Sequence, residues 1–347
     1  MTPRVIAMGL AVALACASAR AQTPGGGSVL RLNQALDDIV SADAAVDVLK
    51  SDYFGFVEGP VWVQDGPNGY LLFSDVAANA IYKWTPSGQL STFLEKSGYT
   101  GTEPATVGGE NNNGRLFLVL LGSNGITLDR QGRVVFATHG DRTIARLEKD
   151  GTRTVLADRY DGKRLNSPND LVMKSNGTLY FTDPPGGLRG GVKSPAKELP
   201  YSGVFMLKDG QLRLIDQDPQ GFPNGIALSP DERYLYVNGA RKIMRYDVGA
   251  DDMAVNGRLF ADMTADNSPG GTDGMKVDQQ GNVYCTGPGG VWVISPAGTH
   301  LGTIRTPEIA ANIAFGDADS RSLYFTARRS LYRIRVKIPG VRPNLSR

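Results

Sequence analysis

The segment Asn169-Asp-Leu-Val-Met-Lys-Ser-Asn-Gly-Thr-Leu-Tyr-Phe-Thr-Asp183 decides the fold, because it is one copy of a pattern that recurs along the chain. A polar residue opens a short apolar strand, an Asn-Gly turn follows, and a second strand carries Tyr-Phe near its end. Two short strands joined by such a turn are typical of a β-hairpin. A hairpin that recurs in sequence indicates a repeat architecture.

Five further copies of this pattern open at a Glu, Asn or Asp, namely at Glu58, Asn124, Asn224, Asp273 and Asn312. A third and a fourth strand follow in most copies. Six four-stranded units of about 40 to 55 residues predict an all-β fold, a six-bladed β-propeller. A β-sandwich would not repeat a whole sheet in one register. The alternating segment Val46–Leu49 is expected to be the outer strand of the last blade, so that an N-terminal strand closes the ring.

The first 21 residues have the three parts of a signal peptide. Arg4 supplies a positive charge, residues 6–16 are apolar, and Ala19-Arg20-Ala21 offers a cleavage site. A membrane anchor would need about 20 apolar residues, which this run lacks; a lipoprotein anchored at Cys16 is a further alternative. We therefore expect export to the periplasm or secretion. The expected organisation is a signal peptide (1–21), an N-terminal extension (22–44), the propeller (45–338) and a C-terminal tail (339–347).

The overall composition excludes several classes of partner and site. The 37 basic and 35 acidic residues give a net charge of +2, which argues against nucleic acid and against a membrane partner after cleavage. Cleavage would leave Cys285 as the only cysteine, so no internal disulfide is expected. With two histidines and no Gly-x-Ser-x-Gly segment, the chain offers little for a zinc site or a serine triad.

The residues that open the six repeats are the candidate site. The first strand of each blade lines the central channel of a propeller, so these residues are expected near one mouth of it. Carboxylate and amide oxygens are the ligands that calcium prefers, although another divalent cation would also fit. Without a cation, Glu58 and Asp273 would repel each other and one would hold a proton. The alternative is that Asn-Gly and Asp-Gly are simply turn dipeptides.

Four of these openings, with their flanking residues, resemble one known family. They are Phe56–Trp62 (FVEGPVW), Leu165–Asp170 (LNSPND), Gly221–Ile226 (GFPNGI) and Gly271–Met275 (GTDGM). Together they resemble the gluconolactonase, regucalcin (senescence marker protein) and luciferin-regenerating enzyme family, and are most similar to its bacterial gluconolactonases. The resemblance spans about residues 45 to 336.

The resemblance implies a site and a reaction. Its metal ligands would be Glu58, Asn169, Asn224 and Asp273, and Asp273 would also transfer the proton. Regucalcin-like members carry a sugar-holding Arg where this chain has Ser167, which leaves the substrate open. The predicted function is calcium-dependent hydrolysis of a sugar lactone to the aldonic acid.

In this hypothesis the cation is a Lewis acid and Asp273 is the general base. A water polarised by the cation is the alternative base, because a cation weakens the carboxylate bound to it. Asn124, Asn169 and His139 are expected to contact the small-molecule lactone. Two other interpretations keep the propeller: a promiscuous esterase or phosphotriesterase on the same metal site, and a non-catalytic binding module.

Overall fold

A computed structural model describes residues 26–104 and 107–343, so the expected signal peptide lies outside the described residues. Six antiparallel sheets form the blades of a β-propeller, which confirms the predicted fold; four of them consist only of consecutive strands, and the other two each add one N-terminal strand. In blades 1 to 3 the strands run from the innermost outward, and their bounds are Val57–Asp65, Asn68–Asp75, Ala80–Trp84 and Leu90–Glu95; Ser123–Leu128, Val134–Thr138, Thr143–Leu147 and Arg153–Ala157; and Leu171–Met173, Leu179–Asp183, Gly203–Lys208 and Gln211–Gln217.

Blades 4 to 6 repeat this order with two additions at the outer edge. Their strands are Ile226–Leu228, Tyr234–Gly239, Lys242–Val248 and Ala254–Asp262; Met275–Val277, Val283–Gly287, Gly290–Ile294 and His300–Arg305; and Asn312–Gly316, Ser322–Ala327 and Ser330–Arg335. The fourth strand of blade 6 is Asp47–Lys50, which pairs with Ser330–Arg335. This pairing confirms that an N-terminal strand closes the ring.

The N-terminal region contributes more than the closing strand. Ser28–Arg31 pairs with His300–Arg305 and gives blade 5 a fifth strand that the sequence did not predict. After this strand the chain forms one 3₁₀ turn, Gln34–Asp38. Leu36 packs in the core between blades 5 and 6, whereas Leu32 is 55% exposed and does not share its face.

The two long irregular stretches, residues 95–121 and 184–201, both have local structure. The first contains a hairpin, Gly109–Asn112 with Phe117–Leu120, and the second contains two 3₁₀ turns, Pro185–Gly187 and Gly191–Lys193. A small hairpin (Arg159–Tyr160 with Lys163–Arg164) and a 3₁₀ turn (Pro219–Gly221) complete the described elements. No helix in the described ranges is long and apolar enough to cross a bilayer.

Packing between neighbouring blades forms the core. Trp62 of blade 1 stacks on Tyr324 of blade 6 with their rings 5.8 Å apart, and Tyr284 of blade 5 meets Phe315 of blade 6 edge-on at 5.1 Å. Each fully buried aromatic side chain stabilises the fold by roughly 1.5–3 kcal/mol. Since the described chain has only a free, buried Cys285 and no disulfide, this packing carries the stability.

The described end of the chain closes one end of the central channel. Gly340 forms a bridge to Asp278 and donates its N–H to Ser320 O, and Val341 N donates to Val277 O at 3.0 Å. These bonds join blades 5 and 6. We call this end of the channel the lower end, and the end at which the innermost strands begin the upper end.

Candidate active site

A glycine follows four of the six residues that open the blades, and the structure gives it a steric reason. A Cβ on Gly59 would lie 2.0 Å from Asn124 O, and one on Gly225 would lie 2.0 Å from Asp273 O. Real Cβ atoms do not approach so closely, so only glycine lets neighbouring strand openings touch. The glycines therefore allow a closed ring of strand openings, a packing role that turn chemistry alone does not require.

Side chains of the second strands hold this ring in place. Ser74 Oγ donates to Asn124 O at 2.8 Å, Thr182 Oγ1 to Asn224 O at 2.6 Å, and Asn238 Nδ2 to Asp273 O at 2.6 Å. Each bond runs from one blade to the opening residue of the next. The backbone of the ring is thus fixed independently of its functional side chains, as a pre-organised site requires.

Two carboxyl groups meet inside the ring. The carboxyl group of Asp273 interacts with Asn224 and with Glu58, and Glu58 Oε2 accepts from the N–H of Gly59 at 3.1 Å. Burial raises the pKa of Glu58 to about 7, and burial together with the charge of Glu58 raises the pKa of Asp273 well above its usual range. Without a cation, the negative charges of Glu58 and Asp273 would repel each other, so the two carboxyl groups are expected to share a proton.

Three amide oxygens at the same end of the channel lack a hydrogen-bond donor. They are Oδ1 of Asn124, Asn169 and Asn224, each buried and without a partner among the described residues. A buried polar atom left unpaired costs about 1–3 kcal/mol, so three together indicate a missing ligand. No group of three or more His, Cys, Asp or Glu in the described ranges is placed to hold a metal. Amide oxygens beside two carboxylates nevertheless fit a hard divalent cation such as calcium.

Asp170 and Lys276 are two charged residues of the site that the sequence did not single out. Asp170 is 2% exposed, and its charge contributes to the raised pKa of both Glu58 and Asp273. The ammonium of Lys276 lies 3.8 Å from Asp170 Oδ2, and its charge lowers the pKa of Glu58. Three carboxylates and one ammonium sum to a charge of −2, which matches one divalent cation.

His139 lies beside the ring. The side chain is 3% exposed, and its Nε2 lies 3.3 Å from Asn124 Nδ2. Burial lowers the pKa of His139 to about 4, so its imidazole is neutral at neutral pH. Its Nδ1 has no partner among the described residues. The structure thus brings His139 and Asn124 together.

A turn from the long loop of blade 3 covers His139. Ser167 Oγ donates to Pro184 O and accepts from Gly187 N, and a Cβ on Gly187 would lie 2.5 Å from His139 Cγ and 2.7 Å from Ser167 Cβ. This space is filled. An arginine at position 167, which the resemblance would imply for a regucalcin-like site, has no room under this turn.

Asp183 supports the segment that carries Asn169. Its Oδ2 accepts from Asn166 N at 2.7 Å beneath the surface, and burial raises its pKa to about 7. The hairpin Gly109–Leu120 lies over the same turn, because a Cβ on Gly109 would lie 1.9 Å from Gly186 O. One side of the upper end is therefore walled by loops from blades 1 and 3.

Comparisons with known proteins agree with this architecture. The chain is 36% identical to a gluconolactonase from Zymomonas mobilis over 326 residues, which cover 90% of this chain and 87% of that protein. A solved gluconolactonase structure from Xanthomonas campestris superposes with a TM-score of 0.73 at 29% identity, covering 92% of this chain and 99% of the other. The calcium-binding protein regucalcin from Agrobacterium tumefaciens has the same fold, with a TM-score of 0.65 at 17% identity, covering 86% and 96%. The family model described as the SMP-30/gluconolactonase/LRE-like region matches residues 56–329, and the chain belongs to that family.

Proposed function

We propose that this protein is a lactonase that hydrolyses a sugar lactone of the gluconolactone type to its aldonic acid. The observation that carries the proposal is the set of unpaired oxygens beside the carboxyl groups of Glu58 and Asp273 at the upper end of the channel. The kinship to proteins named gluconolactonase supports the substrate class. The ring of amide and carboxylate oxygens distinguishes this surface from that of a propeller that only binds a partner.

Glu58, Asn169, Asn224 and Asp273 would hold a divalent cation, which we propose to be calcium. When bound there, the cation supplies a Lewis acid for the lactone carbonyl and for the charge that develops on its oxygen. These residues fit the cation because their free oxygens belong to the hard donors it prefers.

Asp273 is proposed as the general base. Its carboxylate would accept a proton from the water that attacks the lactone carbonyl. The lactone ring would then open as the ester C–O bond breaks and that proton passes to the leaving alkoxide. Asn238 fixes the backbone of Asp273, and Asn224 orients its carboxyl group.

The test is an assay of purified protein, from Gln22 onward, on D-glucono-δ-lactone after chelation and again after calcium is restored. We expect activity to disappear and return. A parallel panel of aryl esters and phosphotriesters separates the lactonase from the esterase alternative. Hydrolysis that is unaffected by chelation, or a preference for the non-cyclic esters, would overturn the proposal. The expected export of the chain is checked separately, by fractionating cells that express it with residues 1–21 present.

A further inference from the structure

The contact between Asn124 and His139 determines which way two side chains point. The atoms 3.3 Å apart are Asn124 Nδ2 and His139 Nε2. In this orientation of the amide its nitrogen donates, and Nε2 is then the unprotonated acceptor. The ring is neutral, so its single proton lies on Nδ1.

No other described bond fixes the Asn124 amide. The amide of Asn224 is oriented by Asp273, and Asn312 Oδ1 accepts from Ile313 N. Asn124 Oδ1, in contrast, has no partner among the described residues, and only its Nδ2 is bonded, to His139. If the Asn124 carboxamide were rotated by 180°, its oxygen and nitrogen would exchange places. An N–H donor would then stand at the position where Asn169 and Asn224 present oxygens.

We propose that His139 is a positioning residue: protonated on Nδ1, it accepts a hydrogen bond from Asn124 and thereby turns the Asn124 carboxamide oxygen toward the cation, as a further oxygen donor beside the four proposed ligands. This positioning role rests on the proposed function only in that the bound ligand is taken to be a divalent cation. The protonated nitrogen of His139 can be measured without it.

The surroundings keep His139 in this arrangement. Its backbone N–H donates to Gly122 O at 3.2 Å, and the turn at Gly187 lies directly on the imidazole ring. Burial lowers the pKa of the ring to about 4, so no second proton competes near neutral pH. The small Gly187 and Ser167 leave the ring room, and the turn above them prevents it from rotating out.

The first test is a ¹⁵N NMR measurement of the two histidine rings, which a chain with only two histidines makes simple to assign. His300→Gln identifies the second ring, which stacks on Trp292 in blade 5, away from the site. We expect His139 to be protonated on Nδ1 and bare on Nε2 in chelated protein. A proton on Nε2 would overturn the proposal whether or not the protein is a lactonase.

The second test is a double-mutant cycle on calcium affinity and on kcat/KM. His139→Leu should weaken calcium binding several-fold and lower kcat/KM about tenfold, as expected for one lost hydrogen bond. His139→Gln, whose side-chain oxygen can accept from Asn124, should recover most of both. Asn124→Leu should cause the same loss, and the double variant no more.

The cycle distinguishes positioning from a direct role. An equal further loss from His139→Leu in the Asn124→Leu background would overturn the proposal, because His139 would then act on the substrate itself. A chain that binds calcium with this coupling but hydrolyses no lactone would contradict the proposed function and leave the positioning role intact.

Discussion

The two ends of the central channel are built from the same six innermost strands, yet they differ in chemistry. The upper end presents two carboxyl groups and three amide oxygens without donors. The lower end is a cavity of about 80 Å³ with largely apolar walls, to which all six strands contribute, through Val61, Ile126, Leu171, Ile226, Val277 and Ala314 among others. Val341, Arg342 and Pro343 line its lower side.

The difference shows how a propeller separates function from stability. Residues at the strand openings have their backbone bonds satisfied by neighbouring blades, so their side chains are free for a ligand. Further along the same strands, the side chains pack and leave space for only a few waters. Lys276 lies at the boundary, since it lines the lower cavity and approaches Asp170 near the upper end. Substitutions at the two ends should therefore have different consequences.

The largest effect is expected at the upper end, from Asp273→Asn. The change keeps the shape of the side chain and removes its negative charge, so the general base is lost and the cation keeps only a neutral oxygen at this position. We expect kcat/KM for D-glucono-δ-lactone to fall about a thousandfold, with the thermal midpoint nearly unchanged. Asp209→Asn, in an exposed turn of blade 3, is the matched control and should keep full activity. Appreciable turnover by the Asp273 variant would point to a water polarised by the cation as the base.

The reverse result is expected at the lower end, from Phe315→Ala. Phe315 is 6% exposed, contacts Tyr284 edge-on and lines the lower cavity. Its truncation should cost about 3–5 kcal/mol of unfolding free energy, measured by denaturant titration. The activity of the folded protein should not change. A loss of activity without a loss of stability would mean that the lower end takes part in catalysis.

Gly225→Ala should affect both stability and activity, because it strains the junction between blades 4 and 5. The new Cβ would lie 2.0 Å from Asp273 O, so blades 4 and 5 must separate. We expect about 1–3 kcal/mol of destabilisation and at least a tenfold loss in kcat/KM from a displaced Asp273. Gly271→Ala is the control, since a Cβ there meets nothing within 4 Å. Equal behaviour of the two variants would refute the steric role of Gly225.

The smallest effect is a dependence of stability on pH in chelated protein. The pKa of Glu58 is raised from 4.5 to about 7 in the fold, so between these values the folded chain holds more protons than the unfolded chain. Unfolding free energy should therefore fall as the pH rises from about 4.5 to 7, by up to about 1.4 kcal/mol per pH unit for each extra proton. Calcium should remove the Glu58 contribution to this slope and leave that of Asp183, whose pKa is also raised to about 7. A slope that calcium leaves unchanged would place the cation elsewhere.

The sequence predicted the repeat and the closing strand because both depend on local pattern. The alternation in Val46–Leu49 identified the strand that the structure places at Asp47–Lys50. The fifth strand of blade 5, Ser28–Arg31, was missed because four residues without a turn signal do not reveal their partner. Between the two N-terminal strands the chain forms only the 3₁₀ turn Gln34–Asp38, because it is tied to blade 5 on one side and to blade 6 on the other.

The candidate site was predicted in part, and the missing residues share a cause. Register alone placed Glu58, Asn124 and Asp273 at one end of the channel. Asp170 and Lys276 escaped notice because an Asp after an Asn resembles a cap and a single Lys in a strand resembles a solvated residue. Their role depends on neighbours more than a hundred positions apart, which no local pattern encodes. The one available signal was Asp170 itself, which stands where four of the other five openings have glycine.

The most direct test of the central claim is calorimetric titration of calcium into chelated wild-type protein and into the Asn224→Leu variant. The account predicts one calcium per chain for the wild type and binding weakened at least tenfold in the variant, because Asn224 loses the oxygen that has no other partner. Equal calcium affinities in the two proteins, or no binding by the wild type, would contradict a cation site at the upper end of the channel.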